Sequence, residues 1–167
     1  MKKDYLAGMI ERELNGLKAQ LNAFKNEADM WEIPEGVSNS AGNLAMHLVG
    51  NLRHFIGVML GGSSYVRNRK HEFTGRNIPR VEILATIDEA ISEVPNVIRE
   101  LEDETMESEY PLELAGVRFN KGDFLLHLLS HLAYHLGQID YHRRIVTGEN
   151  KTAGSISIPK LISAKKQ

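Results

Sequence analysis

Apolar residues recur every third or fourth position in four separate stretches of the chain, each bounded by glycine, proline or a polar cluster. From Asp4 to about Met30 the stripe is Leu6, Ile10, Leu14, Leu17, Leu21 and Phe24, with charges between them, which predicts an amphipathic helix. Trp31-Glu32-Ile33-Pro34-Glu35-Gly36 breaks it, and Ser38-Asn39-Ser40 supplies capping side chains for a second helix running to Gly61-Gly62. Leu44, Leu48, Leu52, Phe55 and Met59 are its stripe. A long polar connection reaches Pro79, after which Val81, Leu84, Ile87, Ile91, Val94, Ile98 and Leu101 mark a third helix. Pro95 inside it is expected to bend it, since proline removes a backbone donor and crowds the preceding turn. Alternation around Ala115-Gly116, from Tyr110 to Phe119, predicts a short hairpin too small to found a sheet. The fourth helix starts near Gly122-Asp123, with Asp123 as its cap, and stops at Gly148.

This pattern predicts an all-α fold: a four-helix bundle with a long crossover between helices 2 and 3 and a small hairpin before helix 4. Residues 1–148 form that domain, and residues 149–167 a strap or tail that alternates weakly at Ile156-Ser157-Ile158-Pro159. Length alone favours one domain. Apolar residues at 42% and charged residues at 25% describe an ordinary globule. No apolar run approaches the roughly 18 residues of a membrane span, and Asp4, Glu11 and Arg12 interrupt any secretory core after Lys2 and Lys3, so a cytoplasmic protein without membrane partners is expected. A net charge of −2 gives no reason to expect nucleic acid. The one basic run, Arg67, Arg69, Lys70 and His71, reads as a solvated loop.

Chemistry enters with the histidines. His127, His131 and His135 lie four apart, with His142 following, and at about 100° per residue they share one helix face with Phe124, Leu128 and Gln138. That face is expected to point inward. Two imidazoles one turn apart converge on a single ion, as in zinc helices, whereas His127 and His135, about 12 Å apart along the axis, do not. Spacing leaves open whether His127 or His135 joins His131; His127 also suits a core or substrate-facing role. On the second helix His47 shares a side with Asn51 and His54. A His from one helix and a pair from another make a three-nitrogen site with an open coordination position, the form of a catalytic metal. His54 and His142 read as boundary residues, and His71 as loop. The chain has no cysteine, so ligands are imidazole or oxygen and any thiol comes from outside.

Two motifs carry a family resemblance. Leu128-Leu129-Ser130-His131-Leu132-Ala133-Tyr134-His135-Leu136-Gly137-Gln138-Ile139 resembles the last-helix signature of the DinB-like superfamily, and Asn43 to Leu52 resembles its second-helix histidine motif. The likeness extends over roughly residues 4 to 148. It implies a divalent ion, nickel or zinc, on His47, His131 and His135, with Gly137-Gln138 matching the pair that follows the second histidine. Leu136 departs from the arginine of many members, which counts against an anionic substrate. Thiol-dependent relatives imply a metal-dependent S-transferase using an exogenous low-molecular-weight thiol on a small-molecule substrate, as a homodimer. Asn51, His54, His127 and Gln138 are candidates to support the ligands or meet substrate. A metal-dependent hydrolase and a non-catalytic, stress-related scaffold bundle are the alternatives.

Overall fold

The computed structural model describes residues 3–154 and 161–165, so the alternation at Ile156 to Pro159 lies outside the described residues. The fold is all-helical: α1 (Lys3–Asn22), α2 (Ala41–Leu52), α3 (Arg69–Thr74), α4 (Arg80–Glu100) and α5 (Lys121–Thr147). α1 packs on α4 and α5, and α2 packs on α3, α4 and α5. Leu6, Ile10, Leu14, Leu17 and Leu21 of α1, Leu44, Leu48 and Leu52 of α2, Ile83, Ile87 and Val94 of α4, and Leu125, Leu128, Leu132 and Ile139 of α5 are buried in one core. Most positions of the four predicted stripes are buried there, but Val81, which opens the third stripe, is 70% exposed, and Phe55, Met59, Leu84, Ile91 and Leu101 are only partly buried. Among the described residues no helix is long and apolar enough to cross a membrane.

Several boundaries differ from the expectation. α1 stops at Asn22, well short of Met30, because the Asn26 side chain accepts from Ala28 N at 3.2 Å and starts a separate 3-10 turn, Glu27–Trp31; a short polar side chain offers the backbone that alternative to continued helix. Ser40 caps α2 as expected, accepting from Asn43 N at 3.2 Å. Beyond Leu52 the helix widens into a π-turn, Arg53–Val58, with Met59 N donating to His54 O at 3.1 Å. The connection after it is not all loop: Arg69 to His71 belong to α3, capped by the Asn68 side chain. Asn43 Nδ2 donates to the Glu72 and Gly75 carbonyls at 2.9 and 3.0 Å, tying α3 to α2. α4 runs unbroken through the buried Pro95.

The hairpin is reduced to two isolated antiparallel bridges, Glu109 with Asn120 and Leu114 with Val117, and no strand forms among the described residues. Ala115 and Gly116 turn the chain at φ 52° and 76°, the two positive angles a tight hairpin turn requires. Tyr110, buried at the base of this turn, donates its hydroxyl to Phe55 O at 2.7 Å, in the π-turn, and burial pushes its phenol pKa up. Tyr110→Phe is expected to cost about 1 kcal/mol, read as a lowered urea midpoint; an unchanged midpoint would mean that this bond adds nothing over water.

Asn120, not Asp123, caps α5, accepting from Asp123 N at 3.1 Å. Asp123 sits in the first turn instead, where a negative charge meets the positive end of the helix. At the other end Gly148, in the left-handed region at φ 70°, closes α5. The chain then turns back on itself. Arg143 donates to Lys151 O at 2.6 Å and to Gln20 Oε1 at 2.9 Å, while Gln20 and Thr152 donate to Asp140 at 2.7 and 2.8 Å. Residues 151–153 are thereby bonded to α1 and α5.

Candidate metal centre

His47 reaches the site from α2, and His131 and His135 from one face of α5. One nitrogen from each ring lies within 4.8 Å of the others, a group that could hold a metal ion. His47 Nε2 and His131 Nε2 are 3.3 Å apart. The ring centroids are 5.2 Å apart for His47 and His131, 5.5 Å for His47 and His135, and 4.5 Å for His131 and His135. Core packing places these rings: the buried Leu44 and Leu48 flank His47 on α2, and the buried Leu128 and Leu132 flank the α5 pair.

The sequence profile of the DinB superfamily matches residues 9–139, a span that holds all three histidines. The chain belongs to the DinB superfamily. A search of the curated proteins found no match. Within this DinB-superfamily chain the remaining candidates separate. His127 is exposed, stacked between Phe124 at 5.9 Å and His131 at 6.3 Å, and lies outside the triad; the expected inward face of α5 thus opens to solvent at its first histidine. His54 is half-buried in the π-turn beside Phe55, 4.9 Å between ring centroids. His142 is buried and donates from Nε2 to Glu32 O at 2.8 Å, so it fastens α5 to the loop before α2. His71 is exposed on α3.

Gln138 and Asn51 behave differently from each other. His135 Nδ1 lies 2.6 Å from Gln138 Oε1; a carboxamide oxygen only accepts, so that ring nitrogen carries the proton and Nε2 keeps its lone pair. Asn51, one turn beyond His47 and buried, has an Oδ1 with no partner among the described residues. An unmet buried acceptor costs roughly 1–3 kcal/mol, which a bound water or ligand would relieve. Asp140, on the same helix as the histidine pair, is buried. Burial works against its charge, but bonds from Thr152, Gln20 and Arg143 outweigh this and hold its carboxyl below the usual range.

Sequence reasoning missed Glu72 and Arg67. Glu72 is 4% exposed; its carboxylate lies 2.9 Å from His47 Nδ1 and takes Arg67 Nε and Nη2 at 2.7 and 2.8 Å. The signal available was one acid closing a basic run, which spacing cannot connect to a histidine 25 residues away. Phe73 of α3 stacks on His47 at 4.9 Å.

These surroundings suit a cation better than they suit three protons. Burial, then the neighbouring His135 and His47, push the His131 pKa down to about 4, and burial also lowers His135. Neutral imidazoles have lone pairs to give, and a divalent ion takes nitrogen donors of this kind. The same shifts make the metal-free fold acid-sensitive. His54 and His142 are lowered by burial too, so from about pH 6.5 down to about 4 the unfolded chain binds more protons than the folded one, and stability falls as the pH falls. The melting temperature of chelator-treated protein is expected to be lower at pH 5 than at pH 7, with a smaller difference in His131→Ala; equal temperatures would contradict the burial of these rings.

A cleft of about 400 Å³ opens at His135, the one member of the triad that lines it, with Leu44, Tyr134, Gln138, Tyr141 and Ile145 among the other lining residues. Among the described residues, no lysine, arginine, aspartate or glutamate lines it.

Proposed function

We propose that this DinB-superfamily protein binds one divalent ion, nickel or zinc, on His47, His131 and His135, and acts as a metal-dependent S-transferase with an exogenous low-molecular-weight thiol. The observation that carries the reading is the convergence of three imidazole nitrogens within 4.8 Å. When bound, an ion on three neutral donors keeps its positive charge, so it favours thiolate over thiol and readies the sulfur for attack on an electrophile. The protein's own part is to hold those donors in place and neutral, with Gln138 fixing His135. His131 and His135 are only partly buried, which supports an open coordination position over a sealed structural one. The uncharged cleft at His135 supports a small neutral substrate, in line with leucine at position 136.

In this reading α1, α2, α4 and α5 form one four-helix bundle, crossed between α2 and α4 by the segment that carries α3. An exposed row on α5, Leu126, Tyr134, Tyr141 and Ile145, supports a homodimer, which sedimentation would test. The thiol reading has its own experiment. Cobalt-loaded protein titrated with a small thiol such as mercaptoethanol is expected to develop the absorption of a sulfur-to-metal charge transfer. No such band at saturating thiol, with cobalt still bound, would leave hydrolysis as the better use of the ion.

A further inference from the structure

We propose that Glu72, clamped by Arg67 and seated against Gly50, is a positioning residue that fixes the tautomer of His47 and so aims its Nε2 at the ion. The proposal rests on the metal reading for its effect on affinity, but not for its effect on the ring. His47 Nδ1 lies 2.9 Å from Glu72 Oε2. Arg67 Nη2 also lies 3.3 Å from this nitrogen, but it donates to Glu72 Oε2 at the shorter 2.8 Å; the carboxylate is the nearer neighbour of Nδ1 and accepts without donating, so Nδ1 carries the proton and Nε2 holds the lone pair. Nε2 is the nitrogen that faces His131, at 3.3 Å. The carboxylate is in turn held. Arg67 presents its planar fork to both oxygens, at 2.7 and 2.8 Å, a geometry that locks a carboxylate in rotation as well as position.

The backbone has been shaped around this contact. Position 50 lies on α2 three residues after His47, and a Cβ there would overlap Glu72, with its Cδ only 2.9 Å away and Oε1 closer still. Glycine alone lets α3 bring the acid this close. Asn43 secures the same approach from the other side through the Glu72 carbonyl. Arg67, Gly50 and Asn43, from three places in the sequence, thus hold Glu72 against one ring nitrogen. Carboxylates that take the remote N–H of a ligating histidine orient the ring and raise its basicity, and their loss typically weakens metal binding roughly 10–100-fold.

Glu72→Gln separates charge and tautomer from shape. Arg67 offers two donors, and a carboxamide has one oxygen; with that oxygen turned to Arg67, the amide N–H faces His47 Nδ1 and favours the proton on Nε2. Nitrogen-15 NMR of metal-free wild type should show His47 protonated at Nδ1, and Glu72→Gln should shift it to Nε2 or to a mixture. Competition with a chromophoric chelator should show zinc held roughly 10–100-fold more weakly in the variant. Gly50→Ala, which keeps the carboxylate but displaces it, should move both readouts the same way and stands in if Glu72→Gln fails to fold. Wild-type His47 protonated at Nε2, or a folded variant with unchanged tautomer and zinc affinity, would overturn the proposal. If wild type takes up no zinc the metal reading falls, and the tautomer alone then decides for or against Glu72.

Discussion

His131→Ala is expected to strip the purified protein of its ion, from about one per chain to a small fraction of that, as measured by elemental analysis. His131 is the centre of the triad: its ring is 5.2 Å from that of His47 and 4.5 Å from that of His135. Removing it leaves two donors from different helices, and the loss should exceed the roughly 10–100-fold that follows from losing a supporting hydrogen bond alone. His142→Ala is the informative control. It removes a buried ring that packs on Phe24 at 6.2 Å and bonds Glu32 O, so it should lower the melting temperature yet keep the metal. Equal metal content in the two variants would sink the ligand assignment, whatever their stabilities.

The second large effect lies outside the triad. Arg143→Ala is expected to destabilise the fold by about 3–5 kcal/mol, because it breaks a buried charge pair by removing one partner. Arg143 is 2% exposed and Asp140 8%. Three acceptors use the guanidinium: Gln20 Oε1 at 2.9 Å, Asp140 Oδ1 at 3.3 Å and Lys151 O at 2.6 Å. Without it Gln20 and Asp140 lose a charged partner in a dry place, and the return of residues 151–153 loses its anchor. At 2–4 °C per kcal/mol for a domain of this size, the melting temperature should fall by roughly 10 °C. A chain ending at Gly148 should show part of the same loss, since it deletes the Lys151 carbonyl and the Thr152 hydroxyl. A shift under about 1 °C in Arg143→Ala would mean that water replaces the guanidinium at little cost.

Periodicity carried the helices because the four stripes had to be buried against each other, and that demand is written into residues such as Leu14, Leu48, Ile87 and Leu132. It carried His47, His131 and His135 because helical spacing and the two family motifs specify where those side chains stand. It failed where a side chain competes with the backbone locally, as Asn26 does in ending α1 and Asn68 in starting α3. It failed again where a contact joins distant parts of the chain. Glu72 and Asp140 are acids whose sequence neighbours give no hint of burial; their partners, His47 and Gln20, lie 25 and 120 residues away. Helix position alone does not reveal that residues 151–153 return to Asp140, where Thr152 donates to its carboxylate.

The π-turn at Arg53–Val58 gives the second helix two independent phases. One extra residue in a turn rotates everything downstream by about 100° relative to an unbroken helix, which is why Ile56 is fully buried while Phe55, next on the original stripe, is only partly so. The half before the turn points His47 at the α5 pair, and the turn itself packs on α4. A single-residue deletion within 53–58 would restore an even spiral and force a choice: either His47 keeps its bearing and the α4 contact rotates off its partner, or the reverse. Length polymorphism at this spot, unlike in the loops, should be read as a change of aim.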